Sequence, residues 1–431
     1  MKKIIYSLMF FFIVGNIAAQ QTPADKQTTD FTIEGATAHL GNGKVIENSL
    51  IMFSKGKITF VGSAMLKIAR QGTIINATGK HVYPGFIAAN ATLGLVEIDA
   101  VKASDDEDEI GSMNPHIRSL IAYNAESKVI ESMRPNGVLM AQITPRGGTI
   151  SGTSSVMQLD AWNWEDAVIK TDDAIHLNWP SSFTRGRWWL GEDAGLKPDS
   201  KYAGKIDEIK SYFLNAKNYL EGNKTIKNLP FEATKGLFNG SQKLFLHVNG
   251  QKEITDAITI SKELGIQNLV VVHGEGAEKI ADLLVKNNVP VILERPHRNP
   301  NSEDDAYDYT YTIAKVLTDK GILVSLGMEG QMERMNTRNI PFYAGTFAAF
   351  GLDKEVALQL ITLNTAKILG VDSFVGSLEV GKDATLFISE GDALDMRTNI
   401  LTHAFIQGRK ISLESHQTEL WKRYSNKYKS K

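Results

Sequence analysis

The stretch VYPGFIAANATLGL at 82–95 closes an apolar run with Pro-Gly and then presents Asn90 and Thr92 two residues apart. Side chains at i and i+2 of a strand point to one face, so the pattern predicts that these two share a pocket. Their neutral oxygens suit magnesium or calcium better than a zinc-type ion. Further along, His247 ends the run KLFLH and His273 ends NLVVVH, 273 − 247 = 26 residues later. That interval fits one strand–helix repeat and would bring both imidazoles to one rim. A catalytic zinc keeps three protein ligands and an open position for water. Two histidines begin such a set, although a lone strand-end histidine is more commonly a hydrogen-bonded polar residue.

Other residues offer softer chemistry. RPHRNP at 295–300 follows the strand pattern VPVIL and sets Arg295 and Arg298 near the same rim, to hold a substrate carboxylate or to pack on the surface. ITPRGGTISGTSS could present backbone amides to an anion or simply make a tight glycine turn. The run SDDEDE at 104–109 either selects a cationic substrate or is a solvated acidic loop. Trp162, Trp164, Trp188 and Trp189 could stack on a sugar. No G-x-S-x-G elbow supports a serine hydrolase.

The elements that must position these residues have two rhythms. FTIEGATAHLGNGKVIENSLIMFSKGKITFVG at 31–62 alternates short β-rich runs with turn signals, and DATLFIS and ILTHAFIQGRKI near the other end have the same character. Neither fragment can bury a core alone. The expectation is one small composite β-sandwich built from 31–80 and 376–412. The intervening 81–370 alternates strand and helix patterns, with Gly265 as a helix stop. Its length favours a (β/α)8 barrel, and the fold class is α/β. Residues 160–235 break the rhythm with the aromatic loop FTRGRWWLGEDAG and a helix striped by Ile206, Ile209, Phe213, Ala216 and Leu220.

Composition narrows the function classes. The 431 residues contain no cysteine, which removes disulfides, thiolate metal sites and a cysteine nucleophile, and a formal charge of −2 gives no field to attract nucleic acid. MKKIIYSLMFFFIVGNIAAQQ has the charged start, short apolar run and small residues of a secretory signal at 1–19. The run is too short to span a bilayer, so the expectation is a secreted, periplasmic chain without a stable membrane anchor. The basic end at 413–431 reads as a solvated helix end.

Two motifs carry a resemblance to a known family. PGFIAANATLGL resembles the first-strand PG-x-I-D-x-H-x-H of the amidohydrolase superfamily, in its secreted imidazolonepropionase-like branch. LITLNTAKILGVDSFVGSLEVGKDATLFI is similar to its terminal T-x-N-x-A-x-x-L-G and G-S-L-x-x-G-K-x-A-D-L signature. The likeness spans about 31–412 and implies a metal-supporting (β/α)8 barrel with a composite β-sandwich. It also implies a damaged metal site. The two first-strand histidines fall on Asn90 and Thr92 and the preceding acid on Ala88, while the fifth- and sixth-strand histidines fall on His247 and His273. Glu329 is the acid nearest the eighth-strand aspartate, and His176 lies in the region of the fourth-strand ligand.

The resemblance implies hydrolysis of a carbon–nitrogen bond in a small amide or peptide. At most one divalent metal, zinc by its ligands, would be held by His247 and His273, with Glu329 completing the shell or taking the proton of water. Asn90→Ala and Thr92→Ala are expected to leave metal binding unchanged. The rival is a metal-free binding or scaffold subunit that pairs with an active relative; a homo-oligomer is the other association considered.

Overall fold

The computed structural model describes residues 22–193, 195–222, 226–300, 304–330 and 332–429. The signal sequence expected at 1–19 lies outside the described residues. Eight strands make one nearly closed sheet: β1 (Phe86–Ala91), β2 (Val138–Ile143), β3 (Ile150–Gln158), β4 (Val168–Asn178), β5 (Lys243–Val248), β6 (Leu269–His273), β7 (Val291–Leu293) and β8 (Val324–Leu326). An Ala89–Gly327 bridge and the bond from Met328 N to Ala89 O, 2.9 Å, bring β8 to β1. This is the TIM-like barrel that the alternating pattern predicts.

One strand departs from the expected parallel repetition. β3 runs antiparallel to both β2 and β4, because the turn Arg146-Gly147-Gly148 takes the place of a crossover helix. Gly147 and Gly148 hold φ of 77° and 61°, and a Cβ on Gly148 would stand 3.0 Å from Ser112 O. The amides of Arg146, Thr149 and Ile150 donate to the carbonyls of Glu107 and Ser112. These three are therefore not open to an anion, and the segment makes a tight glycine turn.

The barrel strands pack through their pleat. Ile87, Ala89, Met140, Val156, Ala174, Phe245, Val270, Val272 and Ile292 form one buried cluster, while Phe86, Ala88, Leu139, Leu244, Leu246 and Val271 belong to another. Alternate residues of each strand thus line the interior, and their neighbours meet the surrounding helices. Helix α1 (Tyr202–Glu221) buries Ile206, Ile209, Phe213 and Ala216 at the expected spacing. Helix α2 (Gln251–Glu263) follows β5 and gives way to Gly265, at φ 92°.

Strands from the two chain ends share sheets beside the barrel. Phe31–Glu34, Ser49–Ser54, Lys57–Ser63 and Thr73–Asn76 form one sheet. In the second, Leu386–Ser389 pairs antiparallel with His81–Pro84 and with Leu401–Ile406. Strand His81–Pro84 therefore belongs with this sheet, and the barrel opens at Phe86 rather than at 81. Ile33, Ile51, Phe53, Val82, Leu386, Ile388 and Phe405 fill the space between the two sheets. Buried Asp160 ties the parts together: it accepts from Arg134 Nη1 at 2.6 Å, Arg409 Nη1 at 3.0 Å and Ala24 N at 2.9 Å. At the C-terminus, helix His416–Lys429 extends along the basic segment and buries no residue.

Because the apolar filling comes from both ends, truncation after Leu378 removes Leu386, Ile388 and Phe405 from against Ile33 and Ile51. Hydrogen exchange within 31–62 is expected to accelerate; unchanged protection there would show that the N-terminal sheet stands alone. The single change Phe405→Ala should cost about 3–5 kcal/mol in denaturant unfolding.

Candidate metal centre

Pleat parity explains how the site residues reach one place. His176 follows the inward Ala174 by two, and His247 follows the inward Phe245 by two, so both point into the barrel mouth. His273 follows the inward Val272 directly, and Asn90 follows the inward Ala89, so regular alternation would turn both outward. Their backbones break the alternation, with φ of 75° at His273 and 53° at Asn90. Asn90 also lies in a bulge, since the four residues Ala88 to Ala91 of β1 are matched by the three residues Ala141 to Ile143 of β2. A non-glycine residue in the left-handed region costs about 1–3 kcal/mol and persists where surrounding contacts hold it, although Asn is more tolerant of it.

His247, His273 and Glu329 converge, with one potential ligand atom from each lying within 4.8 Å of the others. Glu329 Oε2 stands 3.2 Å from His247 Nδ1 and 3.4 Å from His273 Nε2. Ligand atoms around a tetrahedral zinc are separated by about 3.3 Å, given bonds of about 2.0–2.2 Å.

A buried hydrogen-bond chain assigns the protons on the other side. Ser154 Oγ donates to Asp173 Oδ1 at 2.8 Å, His176 Nε2 donates to Ser154 Oγ at 2.8 Å, and His247 Nε2 donates to His176 Nδ1 at 2.8 Å. Gln142 Nε2 also donates to Asp173 Oδ2, at 2.8 Å. In this direction of the chain neutral His247 presents the Nδ1 lone pair to a cation beside Glu329, and in the reverse direction Nδ1 donates to Glu329 Oε2 at 3.2 Å. His273 Nδ1 lies 2.5 Å from Glu294 Oε1, which places a proton there and leaves Nε2 to face Glu329. Such outer partners fix ring orientation and raise the basicity of the ligating nitrogen.

The electrostatics agree with this assignment. Burial lowers the pKa of His247, and burial together with the neighbouring His247 and Arg146 holds His176 well below the ordinary value. For His273, burial alone would do the same, but Glu329 and Glu294 outweigh it and raise the pKa. Burial would raise Glu329, yet Arg146, His247 and His273 prevail and hold its carboxyl well below the usual range. Without a metal, a proton on His273 serves as the local countercharge.

Asn90 and Thr92 do reach this neighbourhood, but not by sharing a strand face. Asn90 Nδ2 donates to Glu329 Oε2 at 2.7 Å, whereas Thr92 N and Oγ1 donate to Glu333 Oε1 at 3.0 and 2.6 Å. Asn90 therefore contacts the ligand group directly, and the expectation that Asn90→Ala leaves binding unchanged is withdrawn. Arg146, which the sequence reading left inside a glycine-rich turn, donates to Asn90 Oδ1 and to Glu333.

The two rim arginines separate. Arg298 pairs with Glu275 and, through Nε at 3.1 Å, with Glu294. Its guanidinium is committed to the carboxylate behind His273 and is not free for a substrate carboxylate. Arg295 is half-buried and close enough for its charge to help lower the pKa of His297, a shift due first to burial. In the acidic loop, Asp105 and Asp108 pair with Lys102, and Glu107 pairs with Arg334.

Comparison with known proteins agrees with this architecture. Residues 232–412 match the profile of the amidohydrolase family. An amidohydrolase from Thermotoga maritima MSB8 is 24% identical over 88% of this chain and 99% of its own, with a TM-score of 0.76. A prolidase complexed with N-methylphosphonate-L-proline is 14% identical over 89% and 100%, at 0.57. An adenosine deaminase from Xanthomonas campestris with bound zinc is 14% identical over 95% and 100%, at 0.53. No curated protein matches the chain. The C-terminal part of the chain is thus similar to the amidohydrolase family, and the barrel is a fold it shares with these structures.

Two outcomes test the proton assignment. His176→Ala removes the acceptor that fixes the His247 tautomer, and zinc affinity should fall about 10–100-fold, read by competition with a chromogenic chelator. Because the pKa of His273 is raised, zinc must displace its proton over a window beginning near 6.5 and extending above it, so affinity should keep climbing past neutrality. In the metal-free chain the sign reverses. His273 contributes stability fully present below about 6.5 and lost as pH rises through its folded value. Urea midpoints of the apo protein across this window should show that decline, and His273→Gln should flatten it.

Proposed function

We propose that the chain is a one-metal hydrolase of carbon–nitrogen bonds in a small amide or peptide. The observation that carries this reading is the convergence of two ring nitrogens, His247 Nδ1 and His273 Nε2, on the ionised Glu329. In the metal-free chain a proton on His273 answers the Glu329 charge, and a cation bound among the three groups would take over that role. The two-histidine, one-carboxylate set suits zinc, which would polarise a carbonyl and lower the pKa of water.

The chain's own groups define the rest. Glu329 Oε2 faces His247, His273 and Asn90, leaving Oε1 as the oxygen able to take a proton from water. Its depressed pKa makes it a weak base. A cleft of about 710 Å³ is bordered by Asn249, Gly250 and Glu275, from the loops that follow His247 and His273 in sequence, and by Phe183, Arg185 and Leu196 of the exposed strand pair Phe183–Arg185 and Leu196–Pro198, and we assign it as the substrate's approach. The weak basicity of Glu329 also favours a second reading, a binding subunit that takes a metal and ligand without turnover. Secretion to the periplasm and pairing with an active relative belong to that proposal as well.

Metal analysis of protein purified without chelator, with a screen of dipeptides and simple amides, tests the reading. One zinc per chain and turnover are expected, both abolished by His247→Ala combined with His273→Ala. Metal that survives the double change would refute the ligand assignment, and zinc without turnover would select the binding subunit.

A further inference from the structure

The guanidinium of Arg146 is a buried cation held almost entirely by oxygen. Nη1 donates to Asn90 Oδ1 at 2.9 Å. Nη2 donates to Asn90 O at 2.9 Å, Met328 O at 3.3 Å, and Glu333 Oε1 and Oε2 at 3.2 and 3.0 Å. These acceptors come from the end of β1, the segment after β8 and the helical turn Glu333–Asn336, while the arginine comes from the β2–β3 turn. Thr92 closes the cage from behind by donating to Glu333 Oε1, and Arg334 Nη1 donates to Thr92 Oγ1 at 3.2 Å.

A bidentate carboxylate, two main-chain carbonyls and an amide oxygen make the donor set of a hard divalent cation. We propose that Arg146 is a built-in replacement for such a cation: its guanidinium fills an oxygen cage beside the His247–His273–Glu329 group, and the emptied cage takes calcium, magnesium or manganese. An arginine cannot lose its charge by deprotonation. The site consequently combines one permanent cation with one exchangeable metal. The permanent one acts at a distance. By occupying Asn90 Oδ1 it aims Asn90 Nδ2 at Glu329, which makes Arg146 a positioning residue for a ligand. Only the exchangeable half rests on the function proposed above; the cage does not.

The test uses the full chain carrying Arg146→Ala, with and without His247→Ala and His273→Ala. Manganese counted by electron paramagnetic resonance should rise by one ion per chain on Arg146→Ala, and this added ion should survive loss of both histidines. Millimolar guanidinium, the side-chain group supplied in solution, should compete with that manganese and raise the melting temperature of Arg146→Ala while leaving wild type unmoved. If Arg146→Ala does not fold unaided, refolding should succeed when guanidinium or manganese is supplied. No added manganese and no stabilisation by guanidinium, or failure to refold with either, overturns the cage. Wild type that takes no zinc overturns the proposed function instead, and leaves the manganese count of the variant to decide the cage.

Discussion

A buried carboxylate among groups that carry or accept positive charge is the interaction on which this barrel mouth depends. Taking Glu329 out of water disfavours its anion, yet Arg146 and two imidazoles reverse the balance and keep it ionised. Removing one partner of a buried pair typically costs more than the pair contributes, because the remaining charge is stranded. This constraint accounts for the surrounding arrangement. Glu294 stands behind His273, Arg298 behind Glu294, and Glu333 opposite Arg146, so each charge is answered by another within ion-pairing distance.

Two kinds of backbone deliver these groups. His176 and His247 arrive by the regular pleat, where a residue two beyond an inward side chain also points inward. Asn90 and His273 arrive by breaking it, with left-handed φ values that turn an outward position inward. The strain sits at the two positions whose parity is wrong. Its persistence indicates that the contacts made by Asn90 to Glu329 and Arg146, and by His273 to Glu294, exceed the local cost.

What could be read from the sequence divides along the same line. The barrel and the two flanking β-rich fragments were legible because periodicity and turn residues report locally. The positions of His247, His273 and Glu329 were legible through motif resemblance and strand ends. Arg146 and Glu333 were not, since a single arginine in a glycine turn and a glutamate in a short helix have no periodic or spacing signature. The only available hint was negative: two neutral residues at positions where the family motif has histidines leave a gap in positive charge. His176 was visible as a position, but its role required knowing that Ser154 and Asp173 lie behind it. The antiparallel β3 was missed because a Gly-Gly turn after a strand is compatible with either a hairpin or a rim loop.

A guanidinium in this mouth supplies charge differently from an ion. A metal supplies charge through open coordination positions and can activate a water there, whereas a guanidinium directs its charge only along its N–H bonds. At Arg146 both terminal nitrogens are already engaged with Asn90, Met328 and Glu333, so the charge is structural and electrostatic rather than open to a substrate. Its field nevertheless reaches Glu329 and keeps that carboxylate a good ligand at the expense of its strength as a base. The charge that would secure a metal held by His247, His273 and Glu329 therefore also makes Glu329 a weaker acceptor of a proton. On the reading proposed above, the more the Arg146 charge prevails at Glu329, the more the barrel mouth is suited to binding rather than to turnover.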